Sequence, residues 1–426
     1  MPFLGMRGTG DWTDKERPEN WRETILYLYP NGSAPIVGIM SMMGSESTDD
    51  PSFNWFTKKL PEQAGDTTGI FTSAALDTQL TSASKDDTAY VKASAETIAE
   101  FREGHTATLS DKESVMKDVF VEITGRSLSG SNSYVQVLFL EEPPSGWTPG
   151  DDVKRIMVSG NANAEGATMP DALRYDPTPY RNVTQIWRTP LSITRTAKKT
   201  RLRTGDSYQL EKREALELHS IEMEKAIVRS QLYEGIGTNN KPKRTTRGII
   251  NFLKEFAPEN IKSFTDSDPA YNGKTWVEAG EDWLDERLEY VSRYGDSEKL
   301  ALCGSGALRA LNKLAKIGGD INLEPMTTDY GLQVIRWRTA SVILHLKVHP
   351  LMSYEPTTRF DMLIIEPRRF KFRYIDDTHF IDEKENTNTN NGKDGQDEEY
   401  LTEGGIELHH PMVHHYLGGV GRDNTH

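Results

Sequence analysis

Cysteine is nearly absent: Cys303 is the single thiol in 426 residues. That excludes an internal disulfide framework and fits a chain made in a reducing cytoplasm. Long apolar runs are missing too, and no stretch reaches the roughly 18 residues of a membrane-spanning helix. The N-terminal MPFLGMRGTGDWTDKERPENW carries charge and tryptophan where a signal peptide needs an apolar core, so export by that route is not expected. Basic charge is in deficit, with 50 Lys and Arg against 64 Asp and Glu and a net charge of −14. A dedicated nucleic-acid binder normally shows the opposite field. Catalytic signatures are also lacking. There is no G-x-S-x-G elbow, and Gly304-Ser305-Gly306 and Gly130-Ser131 read as small-residue turns. The glycine-rich stretch Gly5-Met6-Arg7-Gly8-Thr9-Gly10 precedes no helix opening with Lys-Ser/Thr and fails as a phosphate loop. Asn182-Val183-Thr184 matches a glycosylation sequon, which has no meaning without a secretory route.

The strongest positive signal is residues 208–235, YQLEKREALELHSIEMEKAIVRSQLYEG, the longest segment with a helical apolar period. Leu210, Leu218, Ile221, Ala226, Ile227, Val228 and Leu232 fall largely on one side. Asp206 and Ser207 supply the start, and Gly235 the stop. A rod of about 40 Å follows from about 1.5 Å per residue. It reads as a spine. Before it, residues 54–205 hold short β-like runs such as VFVEI (119–123), YVQVLFL (134–140) and RIMVSG (155–160), with SLSGSNS as a hairpin loop. Their spacing suggests an inserted β-domain, a small barrel or a long hairpin. Residues 1–50 have little periodicity, but APIVGIMSMMG (34–44) is an apolar run without a nearby partner, of the kind that lies as an arm across another surface.

After the spine come a basic loop, TNNKPKRTTRG, and two helix candidates, TWVEAGEDWLDERLEYVSRYG and SGALRALNKLAKIGG, flanking the buried-strand type KLALCG. GLQVIRWRT, SVILHLKVHP, FDMLIIEP and FKFRYI are strand candidates. DEKENTNTNNGKDGQDEEY (382–400) reads as a loop, and GGIELHHPMVHHYLGGVG as a last strand-like unit.

The most ligand-like cluster is His409, His410, His414 and His415, but Pro411 works against a continuous helix and no cysteine or patterned carboxylate completes a site. Satisfied histidines at an interface or strand end outweigh a metal. His345 and His349, four apart in a strand-like stretch, would stand about 13 Å apart, too far for one ion. Lys198, Lys199, Arg201 and Arg203, and Lys241, Lys243, Arg244 and Arg247, are basic patches without aromatic interleaving. They suit phosphates, or more readily the acidic surfaces of neighbouring subunits. Asp285, Glu286 and Glu289, and Asp376 and Asp377, read as solvated faces. No catalytic, cofactor or metal residue is assigned, and no cofactor is expected.

The order of these parts resembles the major capsid proteins of tailed bacteriophages with the Hong Kong 97-like fold. The resemblance is carried by Asn182, Thr184, Gln185 and Ile186 before the spine, Glu222 and Glu224 within it, and Thr246-Arg247-Gly248 after it. It implies an α+β fold with an N-terminal arm (1–55), an extended loop with a β-rich insertion (56–205), a spine helix and first part of a peripheral domain (206–274), an axial domain (275–345), and peripheral strands with a C-terminal segment (346–426). It implies hexamers and pentamers in a virion shell, non-specific contact with packaged double-stranded DNA, a portal, and separate scaffolding and decoration proteins if any are used. No residue set for a covalent cross-link is seen. Two alternatives remain at this point: an enzyme with a site between lobes using the C-terminal histidines, and a cellular compartment shell of the same fold.

Overall fold

A computed structural model describes residues 45–58, 61–166, 168–200, 206–318, 322–327, 333–339, 341–382 and 395–424. Most of the expected arm, residues 1–44, therefore lies outside the described residues. The chain forms two compact units, Phe56–Thr178 by itself, and Met1–Trp55 together with Pro179–His426.

The first unit is a closed six-stranded barrel, ordered Ala64–Phe71, Thr88–Ala93, Tyr134–Phe139, Val119–Ser127, His105–Ser110 and Arg155–Asn161. Closure leaves no open edge. Alternate residues point inward, so Val91, Ala107, Leu109, Val121, Ile123, Val135, Val137 and Ile156 are fully buried. The helix Ala95–Ala99 contributes Ile98 to this core, and Arg126 Nη1 donates to the carbonyls of Ala99, the last residue of the helix, and Phe101, just beyond it, at 3.0 and 2.7 Å. The SLSGSNS loop does join two antiparallel neighbours. The unit stops at Thr178 and not at 205, because Thr178–Val183 and Gln185–Thr194 pair with strands outside the barrel.

The second unit is layered. One sheet of four strands runs in the order Ser45–Ser47, Phe370–Ile381, Gly395–Leu408, Gln185–Thr194. The strand Gly395–Leu408 takes in residues 395–400 of the expected loop, which are therefore extended, with Thr194 opposite Gly395 and Thr189 opposite Tyr400. Pro190 stands opposite Glu399 on the edge strand. Proline has no N–H to give, so this must be a non-hydrogen-bonded pair, and the even-numbered residues of the strand turn their backbone groups to the outer edge.

The second sheet runs Ile261–Ser263, His415–Gly418, Met362–Ile365, Glu298–Cys303, Ile343–Val348, Gln333–Arg338, Asn322–Thr327. Strand Glu298–Cys303 is buried on both faces, as its unbroken apolar run demands. Leu300 and Leu302 join a core with Met223, Ile227, Phe252 and Leu253, whereas Ala301 and Cys303 join one with Trp276, Trp283, Leu311 and Leu314. The sheet is thus the middle layer between the spine and the helix Ile249–Phe256 on one side and the helices Trp276–Ser292 and Ser305–Gly318 on the other. It also runs across the expected boundary at 345, since Met362–Ile365 and Glu298–Cys303 are neighbours.

The spine is Ser207–Arg229, shorter than expected, and ends at Ser230. Twenty-three residues make about 35 Å. Gly235 is not its stop: Tyr233–Ile236 pairs with Pro242–Thr245 in a hairpin. The apolar stripe is also displaced. Leu216 and Leu218 are exposed, and Ala215, His219, Met223 and Ile227, spaced by four, form the buried line.

Candidate assembly site at the spine helix

The spine begins at Asp206, whose Oδ1 accepts the Tyr208 N–H at 2.9 Å, as the start signal required. It then packs on strands Gln185–Thr194 and Gly395–Leu408 largely through polar groups. His219, 1% exposed, lies between two hydroxyls, with Nδ1 2.9 Å from Thr189 Oγ1 and Nε2 2.8 Å from Thr402 Oγ1. Burial holds its pKa below the ordinary value, so the ring is neutral and bridges strand to strand by hydrogen bonds. Tyr208 Oη donates to Glu398 Oε2 at 2.6 Å, and burial followed by that contact pushes the phenol pKa up. Thr189 Oγ1 lies 3.4 Å from Glu222 Oε2. Glu224, fully buried, places Oε1 2.6 Å from His349 Nε2.

At the far end the chain folds back on itself. Gly248 N–H donates to the Ser230 carbonyl at 2.8 Å. A Cβ at Gly248 would stand 2.8 Å from both the Ala226 carbonyl oxygen and the Ser230 nitrogen, so only glycine allows this approach. Asn182 fastens the junction. Its Oδ1 accepts from the Arg247 and Val183 N–H groups at 2.8 and 2.9 Å, and its Nδ2 donates to the Ile406 and Arg247 carbonyls at 2.7 and 3.2 Å. Gln185 Oε1 accepts the Thr246 N–H at 3.2 Å, and Thr184 Oγ1 donates to Glu403 Oε1 at 3.1 Å. The Arg247 guanidinium, 3.0 Å from Glu255, also lies 5.2 Å from the rings of Phe252 and Phe256. The residues before and after the spine that carried the resemblance are thus brought into one clasp. Ile186 is the exception: it is exposed.

The histidine run does not converge. His414 Nδ1 accepts the Glu366 N–H at 3.3 Å, and Nε2 lies 3.3 Å from the His409 carbonyl. Burial, aided by the positive charge of Lys299, pushes His414 and His415 down to about 3. His409 instead meets Glu407 at 2.6 Å, and His410 adopts a left-handed backbone with φ 50°. Among the described residues no group of three or more His, Cys, Asp or Glu side chains is placed to hold a metal ion. His345 stays in its strand beside Glu298, while His349 has left it to open the helix Pro350–Tyr354.

Lys198 and Lys199 are exposed on the short helix Arg195–Lys199, with Lys198 4.5 Å from the Tyr208 ring. Arg201 and Arg203 lie outside the described residues, as does the stretch from Gly5 to Gly10. Lys241 and Lys243 are exposed on or beside the hairpin, and Arg247 is buried. Asp376 and Asp377 are exposed as expected, and Glu289 pairs with Arg293 at 2.9 Å on a solvated helix face.

Sequence reading missed Lys299. Its Nζ, in a residue 1% exposed, donates to the carbonyls of Val291, Tyr294 and Val413 at 2.8, 2.8 and 2.9 Å. Burial pushes its pKa down to about 8, against the pull of Glu366 and Asp296. A lone lysine opening an apolar run was the available signal.

Buried polar groups here fasten distant segments of the chain to one another. Comparison with known proteins identifies the family. The family model of the SU10 major capsid protein matches residues 6–421, and the chain belongs to that family. It is a phage major capsid protein, a component of the virion shell and not an enzyme. The major capsid protein of Pseudomonas phage PaMx41 is 24% identical over 364 residues, 83% of this chain and 78% of that one. Among solved structures the chain is similar to the capsid of a native GTA particle, with 8% identity and a TM-score of 0.44 over 95% of this chain and 96% of that one. It is also similar to an encapsulin complex of Synechococcus elongatus PCC 7942, with 15% identity and a TM-score of 0.40 over 59% of this chain and 79% of that one.

Proposed function

We propose that this capsid protein has the Hong Kong 97-like fold and forms hexamers and pentamers that close into an icosahedral or elongated head around double-stranded DNA. The observation that carries this is the clasped spine: a long helix laid on a long-stranded sheet and fixed at its end by Asn182, Arg247 and Gly248. The reading makes residues 1–55 the arm, the barrel the insertion of the extended loop, and the helix-and-sheet lobe around Trp276–Ser292 the axial domain. Arms and extended loops gain burial by lying across neighbours. The barrel reinforces contacts outside the shell or takes the place of a decoration protein. Lys198, Lys199, Lys241 and Lys243 supply phosphate contacts to the packaged DNA without sequence readout. A portal occupies one vertex, and a scaffold, where used, is a separate chain. Electron microscopy and sedimentation of the purified chain test the reading: capsomers or closed shells are expected, and a well-behaved monomer at high concentration overturns it.

A further inference from the structure

The outer edge of strand Gln185–Thr194 meets a groove of about 740 Å³. The hairpin Tyr233–Ile236/Pro242–Thr245 forms the groove's other wall, and Ile186, Tyr233 and Ile236 line it while 54%, 53% and 73% exposed. Three large apolar side chains left in water along one groove form a seat for an apolar partner. The register fixed by Pro190 adds direction. Ile186 and Arg188 turn their backbone N–H and C=O groups to the open edge, and Pro190 removes the next donor, so an added strand pairs over only a short length.

The chain contains a segment of the chemistry this seat takes. Residues 36–43, IVGIMSMM, are apolar and rich in strand-forming or adaptable side chains. They precede Ser45–Ser47, which occupies the opposite edge of the same sheet, three strand spacings or about 14 Å away. The same chain already crosses the end of the sheet once, since the Pro51 carbonyl accepts the Thr184 N–H at 2.8 Å, so its own residues 36–43 would fill the edge beyond Thr184 only by crossing back a second time, whereas a neighbour's segment need not.

We infer that residues 36–43 of one copy add as an extended strand to the Ile186–Arg188 edge of a neighbouring copy, with apolar side chains seated against Ile186, Tyr233 and Ile236. The inference rests on the shell-subunit reading and names the surface through which copies join. Recognition by strand addition needs backbone pairing for affinity and side-chain seats for register, and both are present.

Engineered cysteines test it in the full chain, because the single native thiol, Cys303, is buried. Particles of the double variant Ile39→Cys/Ile186→Cys are oxidised and run on a non-reducing gel, beside Ile39→Cys/Leu128→Cys, whose second site is exposed on the barrel. A ladder of covalent multimers at least tenfold stronger than in the control is expected. Particles that form without that ladder overturn the inference and leave the shell subunit standing, and so does a fast-migrating internally linked monomer. If the unmodified chain makes no particle, the reading beneath fails and the inference falls with it.

Discussion

Asn182 and Arg247, 65 residues apart in the chain, exchange hydrogen bonds in both directions, Arg247 N–H to Asn182 Oδ1 at 2.8 Å and Asn182 Nδ2 to the Arg247 carbonyl at 3.2 Å. With this one fully buried amide the strand entering the spine is tied to the segment leaving it. The Ile406 carbonyl, 2.7 Å from the same Nδ2, ties both to the central sheet.

Truncation of that amide strands several buried backbone groups at once. Asn182→Ala is expected to destabilise the unassembled chain by about 2–4 kcal/mol, since each buried group left without a partner costs about 1–3 kcal/mol. Asn182→Asp retains the acceptor but sets a buried carboxylate oxygen against the Ile406 and Arg247 carbonyls, and is expected to cost at least as much. Chemical denaturation with an unchanged m-value is the check.

Gly248→Ala places a methyl group against backbone atoms of Ala226, Arg229 and Ser230, none of which can swing aside as a side chain could. A cost of about 1–3 kcal/mol is expected, accompanied by loss of particles under conditions where the wild type assembles. Gly130→Ala is the comparison for crowding: its Cβ position has nothing within 4 Å, so only the strain of its φ of 54° remains.

Glu224 and His349 both line a cavity of about 300 Å³, together with Val228 and Met352. His349→Leu removes the partner 2.6 Å from a fully buried carboxyl group and is expected to cost about 3–5 kcal/mol. Adding Glu224→Leu in the same chain is expected to restore part of the loss, because the buried carboxyl group is removed with its partner while the Met352 N–H, capped by His349 at 3.4 Å, still loses its acceptor. A double-mutant cycle measures the coupling.

Acid sensitivity follows from His414 and His415. Their folded pKa values, about 3, lie below the ordinary 6.5, so between those limits the unfolded chain binds more protons than the folded one. Stability is then unaffected by these groups above pH 6.5 and falls as pH drops below it, by about 1.4 kcal/mol per pH unit for each histidine. Denaturation midpoints between pH 6.5 and 5, above the range where carboxylates titrate, measure the effect, to which the buried His219 and His105, also lowered by burial, add with the same sign. His415→Leu is expected to reduce the slope in that window by the share of one histidine, up to about 1.4 kcal/mol per pH unit.

Local patterning made much of this molecule readable. Short alternating runs bounded by Gly, Ser and Pro announced the barrel strands, because alternation is set by the two-residue repeat of a strand itself. Asp206 announced the start of the spine, because an N-cap acts within its own first turn. The motif residues Asn182, Thr184, Gln185, Thr246, Arg247 and Gly248 were visible, but not that they touch.

What only the tertiary structure decided was which face is buried and where elements stop. The spine ends at Ser230 because Gly248 closes on its last turn, a contact no local signal encodes. Its buried face takes in His219 and Glu224 because Thr189, Thr402 and His349 arrive there from distant segments and satisfy them. Leu216 and Leu218, apolar by composition, are left outward. Short-range propensity can place a helix in the chain, but burial of a polar side chain depends on partners that only folding brings within hydrogen-bond distance.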